Sequence, residues 1–251
     1  MTFPASEHEG IIGVTFPSDD ETLVGRLYLA RGADPKPTAL LLHGCPGLEL
    51  NLDIAATLRD RGWNALVFHY RGCWGSSGRY DMRTITRDVT AAVDYLQAAE
   101  PSVDPGRLAV VGHSLGGWAA ILTAAADTRL RAVAVYGAAV DLRAIDMTPG
   151  ETEREFTRFL AATPQEFAAA REAVVATVDP LREVTAIAPR PLLVVHGTDD
   201  RWVSVEQARM LRDTAGGGCR YVEVADAGHD FAWHRPFLRG LLADWLGESG
   251  L

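Results

Sequence analysis

Short, unbroken apolar runs alternate with amphipathic stretches along most of this chain. Residues 38–42, 65–68, 108–111, 132–136 and 191–196 are apolar at nearly every position. That is the pattern of strands buried on both faces. Between them, residues 51–61, 83–98, 118–126 and 204–215 predict helices. In the second of these, Ile85, Val89, Ala92, Val93 and Leu96 fall on one face at helical spacing. Residues 11–16 and 23–29 flank the turn Pro17-Ser18-Asp19-Asp20 and predict an antiparallel hairpin at a sheet edge. Strands alternating with helices imply right-handed βαβ units and an α/β fold, a mostly parallel sheet with helices on both faces.

The alternation lapses over residues 141–189. Two helical segments are expected there, with no clear strand. In the first, Phe156, Phe159 and Leu160 share a face. The second opens with Thr163-Pro164-Gln165-Glu166, a capping box with proline at the first helical position, and continues as a stripe of Phe167, Val174, Val175 and Val178. Two apolar stripes fit a packed insertion better than a linker; packing against the side of the sheet is the other reading. Glu151, Glu153 and Glu155 read as a solvated face, with a site for a substrate ammonium as the alternative. Ser204 and Gln207 resemble a capping box for the helix that follows. A last strand at 221–224 leads to a helix near His234 with Phe237, Leu238, Leu241, Leu242, Trp245 and Leu246 on its apolar face.

Composition narrows the class. At 251 residues and 47% hydrophobic, the chain suits one globular domain, 1–251, with a full core. A net charge of −9 argues against nucleic acid or an anionic membrane as the main partner. The first ten residues carry no basic region and no long apolar run, so no signal peptide is expected, nor is a membrane span. Cys45, Cys73 and Cys219 make an odd, sparse set, which suits the reducing cytoplasm rather than a disulfide framework. The sole lysine, Lys36, lies between two prolines, leaving Schiff-base chemistry and a P-loop little to work with. No HExxH or comparable spacing calls for a metal, and no cofactor is expected.

The candidate chemistry centres on Gly112-His113-Ser114-Leu115-Gly116. A buried strand runs into this small turn and an Ala-rich helix leaves it. Strand, sharp turn carrying Ser, helix is the arrangement of a nucleophile elbow. The glycines leave room where a Cβ would clash, and the helix start aims unpaired N–H groups at the serine. The Leu115 N–H can therefore face an oxygen that becomes negative during acyl transfer.

With these residues the chain resembles the α/β-hydrolases, a family of serine hydrolases, in its esterase and aminopeptidase-like branches. The resemblance implies Ser114 as nucleophile, then an acid, then a histidine, in that chain order. Gly197-Thr198-Asp199-Asp200-Arg201-Trp202-Val203 matches the family's GxxDxxV pattern at Asp200, with Asp199 one residue off as the alternative. His229, in Ala227-Gly228-His229, matches the histidine after the last strand. His43-Gly44-Cys45-Pro46-Gly47 resembles the HGxPG loop, which implies the Cys45 backbone N–H as the second oxyanion donor; a Cys45 nucleophile is the weaker alternative, since no elbow presents it. Arg71-Gly72-Cys73-Trp74-Gly75-Ser76-Ser77-Gly78 resembles the family's RGxGxSxG loop with Trp74 inserted; pocket, rim and core positions all stay open for that tryptophan. The insertion at about 141–189 is placed where the family carries a helical cap over the site.

Serine rather than aspartate at the elbow sets the chain apart from the dehalogenase and epoxide-hydrolase branches. The implied activity is hydrolysis of a carboxylic ester on a small-molecule acyl substrate through an acyl-enzyme. A thioesterase or aminopeptidase-like amide hydrolase, and a non-hydrolytic acyl transferase, cyclase or lyase, are the alternatives. The oligomeric state is left open.

Overall fold

The computed structural model describes residues 10–47, 51–98, 102–145 and 152–251. Eight strands form one sheet in the order β1-β2-β4-β3-β5-β6-β7-β8. The hairpin β1 (Gly10–Ser18) and β2 (Glu21–Leu29) is antiparallel and lies at one edge, as the alternation predicts. β2 joins β4 (Asn64–His69) antiparallel, and from β4 onward every pairing is parallel. β3 (Lys36–Leu42), β4, β6 (Leu130–Tyr136) and β7 (Leu192–Gly197) are buried along almost their whole length, because helices cover both faces. β8 (Cys219–Val224) forms the far edge and is only partly covered.

One core layer lies beneath α2 (Ile85–Ala98), α3 (Leu115–Ala126) and α7 (Val205–Ala215). The other lies beneath α1 (Leu52–Asp60) and α8 (Arg235–Glu248). Among the described residues no helix is long and apolar enough to cross a membrane.

Several elements depart from the sequence reading. β5 runs from Val103 to His113, although Pro105 and Gly106 read as a break: Val103 pairs with Lys36 and Leu108 with Thr38, and residues 104–107 of β5 bulge between the two pairs. The first helix of the insertion, α4 (Thr152–Thr157), stops short of Phe159 and Leu160. Leu160 instead bridges to Cys73, and Phe159 stacks on Trp74. The carboxylates of Glu151, Glu153 and Glu155 lie outside the described residues. α5 (Pro164–Thr177) starts as predicted: the Thr163 hydroxyl accepts from the Glu166 N–H, and the Glu166 carboxylate accepts from the Thr163 N–H. α6 (Pro180–Glu183) and a short 3₁₀ turn, Val184–Ile187, lead back to β7.

At α7, Ser204 caps through the Glu206 N–H, but Gln207 does not close a capping box. Its amide is buried and exchanges hydrogen bonds with the Asp141 backbone at 2.8 and 3.2 Å, which ties the start of the insertion to the sheet. On α8 the buried set is Leu238, Leu242, Ala243, Trp245 and Leu246, while Phe237 faces outward.

Candidate active site

β5 ends at His113 and α3 begins at Leu115, so Ser114 alone reverses the chain. It adopts φ 54° and ψ −119°, a conformation held only where surrounding contacts over-determine it. Here its N–H donates to the Tyr136 carbonyl at 3.2 Å, and its carbonyl accepts from the N–H groups of Gly117, Trp118 and Ala139. The flanking glycines make room. A Cβ on Gly112 would sit 2.2 Å from the Gly116 carbonyl oxygen, and one on Gly116 would sit 2.3 Å from that of Leu42.

The acid and the histidine arrive on two loops that β7 and β8 hold side by side. Thr198 N–H donates to Val224 O, and Asp199 N–H to Ala227 O, each at 3.0 Å. The close approach needs glycine at 197, where a Cβ would meet the Ala227 carbonyl at 2.2 Å. This clipping brings the imidazole of His229 between the other two groups. Its Nε2 lies 2.9 Å from Ser114 Oγ and its Nδ1 lies 2.8 Å from Asp200 Oδ2. A carboxylate can only accept, so Nδ1 carries the proton and the Nε2 lone pair faces the serine hydroxyl.

Asp200 has a fully buried side chain. Burial alone would raise its pKa. Hydrogen bonds from His196, from His229 and from the Val203 N–H outweigh that and hold the carboxyl well below the usual carboxylate range. Its Oδ1 accepts from the N–H groups of Trp202 and Val203 at 2.9 and 2.8 Å. Asp199, the alternative acid, is exposed and faces Arg201 at 3.6 Å.

The loop after β3 packs directly on the nucleophile, since a Cβ on Gly44 would meet Ser114 Cβ at 2.9 Å. Cys45 and Leu115 line the same cavity as Ser114, and Leu115, as the first residue of α3, has no carbonyl for its N–H within the helix. Burial pushes the Cys45 thiol up to about 12, with a Tyr80 hydrogen bond opposing, so it stays protonated at neutral pH and is a poor nucleophile.

The cavity holds about 280 Å³. Its wall is mostly apolar: Met82, Leu142, Ile145, Phe156, Phe167 and Val203. Four of these, with Arg171, come from the segment after β6 or from the helices α4 and α5. Trp74 stands at the rim, exposed, with its indole N–H donating to Pro46 O at 2.9 Å.

Two supporting histidines escape motif reading. His196 is fully buried at the end of β7. Its Nε2 lies 2.8 Å from Val203 O and 3.2 Å from Asp200 Oδ2, so it braces the acid from behind. His113 Nε2–H donates to the His229 carbonyl oxygen at 3.0 Å, and its ring stacks on Tyr136, whose hydroxyl bonds Asn51 and Arg235. The only signal in the sequence is that His113 and His196 sit at strand ends beside glycine, a place for backbone-holding roles. Among the described residues no cluster of three His, Cys, Asp or Glu is placed to hold a metal ion.

The model of the prolyl oligopeptidase family matches residues 50–237, a span that holds Ser114, Asp200 and His229 but not Cys45. The YfhR protein of Salmonella typhi is 24% identical over 224 residues, covering 86% of this chain and 73% of that protein. The esterase domain of a Rhodothermus marinus protein is 26% identical with a TM-score of 0.71, covering 94% of this chain and 97% of that one. Est1E from Butyrivibrio proteoclasticus, solved with ferulic acid bound, shares the fold at a TM-score of 0.79 and 18% identity, covering 94% of this chain and 98% of its own.

Proposed function

Because this chain belongs to the prolyl oligopeptidase family of α/β-hydrolases, we propose that it is a serine hydrolase that cleaves a carboxylic ester of a small molecule through an acyl-enzyme. The observation that carries this reading is the unbroken contact from Asp200 through His229 to Ser114, at 2.8 and 2.9 Å.

The serine hydroxyl is a weak nucleophile until its proton has somewhere to go. As Ser114 Oγ attacks the carbonyl carbon, His229 Nε2 takes the proton, and Asp200 stabilises the imidazolium while fixing its orientation. The N–H groups of Cys45 and Leu115 stabilise the oxyanion, with each donor of such a hole worth about 2.7–4 kcal/mol. His229 then returns the proton to the departing alcohol. Water, deprotonated by the same imidazole, attacks the acyl-serine and releases the acid.

The apolar wall supports an ester over a peptide. A substrate α-ammonium needs an anion, and no Asp or Glu lines the cavity among the described residues. The esterase domain of the Rhodothermus marinus protein, 26% identical, points the same way. The helical insertion acts as a cap over the acyl group. The test is a panel of esters, thioesters and amides of varied acyl chain on the purified protein. Esters are expected to turn over fastest, and Ser114→Ala should lower kcat by at least about 10⁴-fold. Full activity in Ser114→Ala would contradict the mechanism, and product free of ¹⁸O in labelled water would favour acyl transfer or cyclisation.

A further inference from the structure

One side chain in the cavity wall has no part in the acyl chemistry. Arg171, on α5, lines the cavity together with Ser114 and His229. Its Nη2 donates to the carbonyl oxygens of Leu142, at 2.5 Å, and Ile145, at 3.2 Å, which fixes the guanidinium against the segment after β6. Among the described residues it makes no ion pair with a carboxylate, and its Nε and Nη1 hydrogens have no acceptor.

Other half-buried arginines of this chain are finished off. Arg71 pairs with Asp88 at 2.7 Å and Arg129 with Asp127 at 2.6 Å. Arg190 has no acid partner, but its Nε, Nη1 and Nη2 all donate to carbonyl oxygens. Arg171, half-buried in the cavity wall, is left incomplete.

Among the described residues no second fixed charge lines the cavity. Among the described lining residues there is no Asp or Glu, and Asp200 lies behind His229, off the wall. His43 and His113 are neutral at pH 7, since burial pushes each down to about 3. The lining of a chain with net charge −9 is therefore cationic. In an apolar cavity a guanidinium fork attracts a carboxylate far more strongly than at an exposed surface.

We propose that Arg171 binds a carboxylate carried by the substrate, so that the ester cleaved at Ser114 is an anionic one. This rests on the serine-hydrolase reading for its chemistry but not for its binding. The charge sits on the acyl or on the alcohol portion, and matched pairs separate the two: ethyl hydrogen glutarate against ethyl pentanoate, and 4-acetoxybenzoate against 4-methylphenyl acetate. Each pair exchanges a carboxylate for a methyl at constant shape.

The experiment compares kcat/KM within each pair for wild type, Arg171→Gln and Arg171→Lys. Wild type should favour the anionic member of at least one pair. The anionic-to-neutral ratio should fall about tenfold or more in Arg171→Gln, as loss of hydrogen bonds to a charged group does, and should be partly kept in Arg171→Lys. Response of the glutarate pair alone, or of the acetoxybenzoate pair alone, supports the proposal and tells which side carries the charge. Ratios unmoved in both pairs overturn it, even if both activities drop together, since that is what a loosened α5 would produce. Calorimetry on Ser114→Ala, with and without Arg171→Gln, measures binding of the same esters without turnover. If the wild type cleaves none of them, the proposed chemistry fails. The binding arm then decides alone: an anionic ester bound about tenfold more weakly without Arg171 supports the proposal, and equal affinity overturns it.

Discussion

At the scale of single residues, the site depends on where one carboxylate keeps its charge. Asp200 is held well below the usual carboxylate range, despite a burial that opposes it, by hydrogen bonds from His196, His229 and the Val203 N–H. A depressed folded pKa stabilises the protein above the unfolded value, about 3.9, and that contribution is lost as the pH falls toward the folded value. The stability advantage of wild type over Asp200→Asn, read from urea denaturation, should therefore be full above about pH 5 and shrink below about pH 4. The same substitution presents the wrong partner to Nδ1–H and should lower kcat by about 10⁴-fold. His196→Ala removes the buried brace behind Asp200 and should cost about 1.5–3 kcal/mol of stability together with some kcat, both measurable on one preparation. Ser114 and His229 are legible in the sequence because each needs a small, glycine-bearing turn that leaves a written trace. Gln207 misleads, because Ser-x-x-Gln reads the same whether the amide reaches back along its own helix or inward to Asp141. Arg171 is silent, since one arginine among alanines and glutamates on a helix looks like a solvated position until the opposite wall is known.

At the scale of elements, strand ends and the loops between them set the geometry. The nucleophile turn works because α3 can start within contact of β3, and the Gly116 Cβ position is already occupied by the Leu42 carbonyl. Gly116→Ala should overpack this junction and lower the unfolding free energy read from urea denaturation by about 1–3 kcal/mol or more, with activity falling further than stability because Ser114 moves with the helix. At the insertion, Thr163→Ala removes the hydroxyl from the first turn of α5 and should cost about 1 kcal/mol in local stability, seen as faster amide exchange in that helix. Apolar runs predict all the central strands because burial on both faces demands them. They fail at the start of β5, where Pro105 and Gly106 punctuate a segment that the neighbouring β3 nevertheless keeps in the sheet. They fail again after α4, where Phe159 and Leu160 leave the helix to pack on the Trp74 loop. In both places a partner distant in sequence, absent from any local window, decides the conformation.

For the whole molecule, the antiparallel edge must be fastened to the parallel body that carries the site. Asp88 does this from α2: its buried carboxylate accepts from the Arg71 side chain and N–H at 2.7–2.9 Å and from the Ser18 hydroxyl at 2.7 Å, joining the hairpin turn, the loop after β4 and a central helix. Asp88→Ala leaves the Arg71 guanidinium, itself mostly buried, with only the half-exposed Asp19 carboxylate at 3.0 Å, and should cost about 3 kcal/mol in chemical denaturation. The α/β alternation is readable along the whole chain, whereas this fastening is not, because its three parts look like ordinary turn and surface polars.

The account's central claim is that Ser114 is activated by His229 to take up an acyl group. Its most direct measurement is peptide mapping by mass spectrometry after a fluorophosphonate probe is added to the folded protein. The adduct is expected on Ser114, formed rapidly in wild type and at least about 10³-fold more slowly in His229→Ala. An adduct on Cys45, or an equal labelling rate without the imidazole, would contradict it.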